Sequence, residues 1–390
     1  MSKKIGAFFT IIFALSLIFG AFAVDKYNEY VEYKKINEDR ITQQEQTAFE
    51  NQLGTKTFYY YNNLDNEQKQ TYIMIYSMLE NFTDSRRLEI TKDDLNQIFM
   101  AVLYDNTQFF YVDIKYNYVD YETYIDFRPI YRFKREQAVQ MSEKLNDKIN
   151  AILKKAEAFT TDYEKELYFH DTICNVTVYD KETYGNLGDT AYSTLIDGKA
   201  ICEGYSRAMQ MLLDGSGINN YLVVGDGVND EGAEPHMWNV VEIDGAKYHL
   251  DVTWDDTGNE ERKGYLYFNV TDKFISQDHI NIKPVANNCN QMSANYFVVN
   301  NLYVENFKSF ANFVTPVANA LKNGENVVEI LFANEKAFSE AMTSMKNNNY
   351  SFFDFIGDAV RKSGKKLRKD EIEYYTVDGQ YYLCLVFKEG

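Results

Sequence analysis

The segment HMWNVVEIDGAKYHLDVTW, residues 236–254, constrains the fold more than any other stretch. Its residues suit two strands on either side of Asp244-Gly245, a dipeptide that is a strong signal for a two-residue hairpin turn. The turn sets the register. With Ile243 opposite Ala246, counting outward places Trp238 opposite Asp251 and His236 opposite Thr253. His236 and Asp251 then share a face as diagonal neighbours, about 7–8 Å apart at Cα, within reach of an imidazole and a short carboxylate. His249 falls on the same face, opposite Val240 and deeper in the sheet. A hydrogen-bonded sheet histidine is the expectation there, and His236 is the preferred base.

The base needs a nucleophile, and the sequence offers GKAICEGYSRAMQMLL at residues 198–213. Asp197-Gly198 reads as a turn, and a helix follows from about Ile201 to Asp214, with Tyr205, Ala208, Met209 and Leu212 inward. Cys202 is therefore in the first turn, where unpaired backbone N–H groups and the positive end of the helix dipole favour a thiolate and can supply an oxyanion donor. Gly198 and Gly204 flank it without side chains, which would let a substrate backbone approach. Cys202, His236 and Asp251 together have the order nucleophile, base, orienting acid. A metal centre is disfavoured, because no Cys or His other than Cys174 lies within thirty residues of Cys202. No cofactor is expected.

Two further acidic or histidine motifs are expected to be structural. His170-Asp171 lies on the helix YEKELYFHDTIC, where adjacent side chains point about 100° apart and should not orient one another. The loop DDTGNEE at 255–261 is expected to be solvated rather than to bind calcium.

The chain starts MSKKIGAFFTIIFALSLIFGAFAVDKYNEY. Two lysines, an uncharged run from Ile5 to Val24 and Ala21-Phe22-Ala23 predict a secretory signal peptide or an N-terminal membrane anchor over residues 1–24, with the rest secreted or held at the cell surface. Export permits disulfides, but four cysteines in 390 residues are not a disulfide framework. Cys174, Cys289 and Cys384 are expected as small apolar residues, with a bridge between two of them left open. The net charge of −18 and the absence of a basic cluster exclude nucleic acid as a partner and make a membrane partner plausible only through the N-terminal segment.

Composition otherwise belongs to a globular protein, 45% hydrophobic and 25% charged, so several packed regions are expected. Residues 25–57 read as a polar spacer or surface helix. Residues 58–158 read as an N-terminal α+β domain: Asp65/Gln68 and Thr91 open helices, two strands follow with the second broken at Pro129, and a long helix runs from about Arg135 to Ala158. The core is placed at 159–288, opened by Thr161/Glu164. A C-terminal α+β module fills 289–390, with a strand at NVVEILF, two helices near 335–347 and 352–363, and a terminal hairpin turned at Asp378-Gly379.

YSTLIDGKAICEGYSRAM, PHMWNVV and YHLDVTWDD, with YFNVTDKFISQDH trailing, resemble the transglutaminase-like superfamily, in particular its bacterial exported members. The resemblance spans about residues 160–285. It implies an α+β, papain-like core in which a helix bearing Cys202 packs on an antiparallel sheet bearing His236 and Asp251, as nucleophile, base and orienting acid. Tyr192, just upstream of the cysteine, is a candidate oxyanion donor. Trp238 and Trp254 are either core residues or the walls of an acyl channel. The implied activity is acyl transfer from protein or peptide amides, at the cell surface or cell wall, through a Cys202 thioester. A cysteine peptidase or amidase would use the same triad with water as acceptor, and a non-catalytic peptide-binding module would keep only the fold.

Overall fold

Capping chemistry opens most of the long helices. In the computed structural model Asp65 and Thr161 each close a reciprocal capping box with the residue three positions on, satisfying backbone donors that the first helical turn leaves unpaired. The structure describes residues 26–27, 40–121, 123–229, 232–259, 262–285, 287–346, 352–366, 372–376 and 381–388. The predicted leader at 1–24 and the turn at Asp378-Gly379 lie outside these. Among the described residues no helix is long and apolar enough to cross a membrane.

The chain divides into two compact units, one ending at Arg135 and the other running from Glu136 onward, with Thr55–Tyr59 belonging to the second. In the first, helices α1 (Gln43–Glu50), α2 (Asn66–Asn81) and α3 (Lys92–Asp105) accompany a three-stranded antiparallel sheet, β1 (Arg86–Leu88), β3 (Ile125–Tyr131) and β2 (Val112–Asp120) in that order. Two expectations change here. Helix α1 lies in the predicted polar spacer, yet Phe49 is buried against Tyr61, Tyr72 and Tyr76 at 4.9–5.5 Å between ring centroids. One aromatic in a polar octapeptide leaves no periodic signal. Strand β3 is not broken at Pro129, which pairs with Tyr116. On its other side β1 reaches only Ile125–Phe127, so no ladder there needs the N–H that proline lacks.

The second unit takes in the long helix α4 (Arg135–Ala156), except for Arg135, where the sequence placed it with the N-terminal domain. Helix α5 (Asp162–Val176) follows, then the short parallel pair β4 (Val178–Tyr179) and β5 (Lys199–Ala200), and α6 (Cys202–Gly215). An antiparallel sheet comes next: β6 (Asn220–Asn229), β7 (Gly232–Ile243) and β8 (Ala246–Leu250), extended on the β6 side by β9 (His279–Lys283). The hairpin register is the predicted one, Ile243 opposite Ala246 and Val240 opposite His249. Helix α6 buries Tyr205, Ala208, Met209 and Leu212, and it is tied to β7 by Asn239 Nδ2, which donates to Ser206 O at 3.1 Å. Tyr221, Val223, Trp238 and Val240 cluster with Tyr267, Val270, Ile275 and Cys289.

Residues 289–390 group with this second unit. Their sheet runs β10 (Tyr303–Val304), β11 (Val327–Phe332), β13 (Tyr382–Phe387), β12 (Ile372–Thr376), with helices at Val314–Lys322, Glu335–Lys346 and Phe352–Ser363. The first of these helices was not foreseen; its N-terminus has no side-chain cap to announce it. All four cysteines are thiols.

Candidate active site

Cys202 is the first residue of α6, buried, with Ile201 in extended backbone before it. Its approach is fixed by backbone: Ile201 N–H donates to Gly188 O at 3.0 Å. Ser206 Oγ lies 2.8 Å from both Cys202 O and Met237 O, which joins the cysteine's turn to the strand that carries the base. Gly204 is not an opening for substrate. A Cβ there would lie 2.4 Å from Gly188 O and 2.9 Å from Ala200 Cβ, so the glycine is needed for close packing of the 188 loop on the helix. Gly198 has φ 73°, the left-handed conformation its turn requires.

His236 sits on β7 opposite Gly225 of β6. Its Nε2–H donates to Asp251 Oδ2 at 2.6 Å, and the Cys202 side chain is near enough to favour the protonated ring. The three residues therefore meet, though not by the diagonal pairing predicted. Strand β8 ends at Leu250, and Asp251 is the N-cap of a one-turn helix, α7 (Val252–Asp255). Its Oδ1 accepts the N–H of Thr253 at 3.0 Å and of Trp254 at 3.2 Å, leaving Oδ2 for the imidazole. With Nε2 engaged by the carboxylate, Nδ1 is the ring nitrogen available to the thiol. Burial pulls the imidazole pKa down, but the charge and hydrogen bond of Asp251, with Cys202, outweigh it and push it up to about 10. Burial raises the Asp251 carboxyl, yet His236 and His279 together hold it well below the usual carboxylate range.

His279, at the start of β9, was not singled out by the sequence. Its Nε2 lies 3.1 Å from the same Asp251 Oδ2, and its Nδ1 2.7 Å from Asp278 Oδ1. It comes from 28 positions beyond Asp251, and no local pattern connects the two.

The two tryptophans part company. Trp238 is fully buried, its ring stacked near that of His236 at 5.8 Å, and its Nε1–H donates to His249 Nδ1 at 2.9 Å. It is a core residue and walls no channel. Trp254 lines a cleft of about 320 Å³ together with Tyr179, Lys181, Glu234, His236 and Asp256. Its ring lies over Gly227, where a Cβ would come within 2.7 Å of Cζ2. Tyr192 is buried at the start of the 193–197 turn with Lys144 Nζ over its ring, and it is not among the residues lining the cleft. The tyrosine that does line the cleft is Tyr179, whose phenol is raised by burial and then by Cys202.

The other histidines are also engaged with carboxylates. His249, taking the Trp238 proton on Nδ1, donates from Nε2 to Asp272 at 2.9 Å, and Asp272 accepts the Cys289 N–H at 3.0 Å. Burial lowers the His249 imidazole and raises the Cys289 thiol. His249, Asp272 and Cys289, like His236, Asp251 and His279, bring potential ligand atoms within 4.8 Å. In the first group those atoms hydrogen-bond to one another, and in the second His249 Nε2 bonds to Asp272, so a metal would have to displace those bonds.

His170 and Asp171 do meet, contrary to expectation: Nδ1–H donates to Asp171 Oδ1 at 3.1 Å while Nε2–H donates to Asp255 Oδ2 at 3.3 Å. The short aspartate bends back to its neighbour because the imidazole is pinned from the other end. Asp255 is thus buried rather than solvated, and Asp256 Oδ2 takes the Tyr205 hydroxyl at 2.5 Å. Residues 260–261 of that loop lie outside the described residues.

Residues 151–252 match the family model described as the transglutaminase-like superfamily. Among solved structures, a transglutaminase is similar at 17% identity and a TM-score of 0.27, over 45% of this chain and 52% of that one. A candidate cysteine protease from Cytophaga hutchinsonii is similar at 13% identity and 0.24, over 36% and 62%. A candidate protease from Parabacteroides distasonis is similar at 13% and 0.23, over 36% and 35%. The match thus spans about half of the first of these chains and less than two thirds of the others. No curated protein matches the chain.

Proposed function

Since residues 151–252 carry a core of the transglutaminase-like superfamily, we propose that the protein is a cysteine enzyme that transfers acyl groups from protein or peptide amides. The observation that carries this reading is the 2.6 Å bond from His236 Nε2 to Asp251, which leaves Nδ1 for the Cys202 thiol at the head of α6. In the first half-reaction the thiol proton passes to His236, Sγ bonds to the amide carbon, and the carbonyl electron pair moves onto oxygen. Collapse breaks the C–N bond as His236 returns the proton to the leaving nitrogen, giving ammonia or an amine and a Cys202 thioester. Backbone N–H groups of the first turn of α6 are the donors for the oxyanion.

In the second half-reaction an amine or water attacks the thioester carbon as His236 takes its proton, and collapse breaks the C–S bond while His236 returns that proton to Cys202 Sγ. Transfer to an amine makes a new amide bond, and transfer to water makes an acid. The hydrolytic reading has one observation in its favour. With Trp238 closed in the core, the cleft beside His236 is lined by Lys181, Glu234 and Asp256 as well as Trp254, walls that exclude water poorly. The leader-like segment at residues 1–24 supports an exported protein acting at the cell surface or cell wall.

The test is to incubate the protein with a glutamine-containing peptide, with and without a primary amine, and to follow ammonia release and peptide mass. Ammonia release lost in Cys202→Ser, with a thioester trapped on Cys202, supports the reading, and the product mass tells amine from water. Unchanged release in Cys202→Ser would remove the cysteine from the chemistry.

A further inference from the structure

Asp251 has one oxygen for two histidines. Oδ2 accepts Nε2–H from His236 at 2.6 Å and from His279 at 3.1 Å, while Oδ1 is filled by the two backbone donors of α7. The opposite nitrogen of His279 faces a second carboxylate, Asp278 Oδ1, at 2.7 Å. A carboxylate oxygen accepts and does not donate, so each His279 nitrogen has to bring its own proton. The ring is fully buried, enclosed by Trp238, Trp254 and Tyr267 at 4.4–5.6 Å between centroids, with His236 at 5.3 Å. The charged and titratable groups around it are Asp251, Asp278 and His236, with His249 beyond the shared Trp238 ring and lowered by burial and in part by the His279 charge. Tyr267 Oη–H is turned away, donating to Asp278 Oδ2 at 2.6 Å. From β6 the paired residue is Gly227, which brings no charge.

We propose that His279 is a positioning residue held as an imidazolium between Asp251 and Asp278, and that its charge limits how tightly His236 keeps the proton it must exchange with Cys202. This rests on the reading of His236 as the base. The cation draws on the same oxygen that stabilises protonated His236 and repels that ring directly. An acid serving one histidine alone would hold the proton of its partner more firmly, and a general base that cannot release its proton stalls both half-reactions. His279 itself is not among the residues that line the cleft, so its effect is on the base and not on binding.

The chain has only four histidines, which makes the test direct. Nitrogen-15 spectra of the full, histidine-labelled protein, assigned with single substitutions, should show both His279 ring nitrogens still protonated from about pH 7 to about pH 8, where an ordinary imidazole is mostly neutral. In His279→Gln the titration midpoint of His236 should rise by about one pH unit, the size expected for losing a nearby like charge. Asp278→Asn should act the same way while keeping the imidazole in place, because it lets His279 become neutral. A bare nitrogen on His279 in the native protein over that range overturns the proposal, and so does a His236 midpoint that stays put or falls in both variants. These spectra need no turnover, so they can succeed where the amide assay fails, and the reverse.

Discussion

His236 is pushed up from an ordinary 6.5 to about 10 against its burial, chiefly by Asp251, and that makes the pair a term in stability as well as in catalysis. A histidine raised on folding contributes stability that is fully present below pH 6.5 and lost as pH rises through about 10. Asp251 is lowered, so its contribution is present above its ordinary 3.8 and lost as pH falls through its folded value. Asp251→Asn should therefore be less stable near neutrality, and its melting temperature should fall less steeply than the native one between pH 6.5 and about 10. Parallel melting curves across that window would mean that Asp251 does not hold the His236 proton. For the thiol, His236→Ala should slow iodoacetamide alkylation of Cys202 near neutral pH by about a hundredfold, the lower end of a general-base effect; peptide mass mapping checks which cysteine reacts. Cys202, His236 and Asp251 were legible because each stands in a dense local pattern of turn, helix start or hairpin. Tyr179 was not, since its strand shows no hint of the destination, and His279 ends the trailing YFNVTDKFISQDH segment with nothing there to tie it to Asp251.

At the scale of elements, the hairpin at Asp244-Gly245 and the helix starting at Cys202 could be read from turn chemistry and 3.6-residue periodicity. The end of a strand could not. Asp251 was counted as a β8 residue because nothing in YHLDVTW marks Leu250 as the last paired position, yet Asp251 is a helix cap. Glycine roles were also hidden, because close approach is a tertiary fact. Gly204→Ala would drive a methyl toward Gly188 O, a backbone atom with little room to move, and should cost about 1–3 kcal/mol in denaturant titration. Gly227→Ala meets a side chain instead. It should displace the Trp254 indole from beside His236, changing tryptophan fluorescence and lowering amide turnover more than stability. Turnover and emission both unchanged would show that the Trp254 ring has no part in the site.

Across the whole second unit, the C-terminal residues are part of what supports the core. Tyr296 stacks on Tyr265 at 3.8 Å and 7°, and Glu329 of β11 accepts the Tyr265 N–H at 3.2 Å, while the Tyr265 hydroxyl donates to Asp171. A chain ending at residue 288 loses the stack, worth about 0.5–1.5 kcal/mol beyond its buried area, and leaves that amide without its acceptor. Its melting temperature should drop below that of the full chain, with proteolysis starting near Tyr265; an unchanged melt would make the two parts independent. The sequence separated these parts because the family resemblance ends near residue 285, and the contacts that join them, Tyr265 to Tyr296 and Tyr265 to Glu329, are tertiary and leave no local signal.

Helix α7 carries two buried carboxylates within a single turn, and they serve different neighbours. Asp251 at its cap faces His236 and His279, while Asp255 at its end accepts from His170 on α5 and from the Tyr267 N–H. Inserting or deleting one residue between them would swing the second carboxylate by about 100° relative to the first, turning it from its imidazole into apolar surroundings. The number of residues between the two aspartates is therefore fixed by their two separate partners, and a one-residue insertion at 252–254 should unseat one carboxylate or the other.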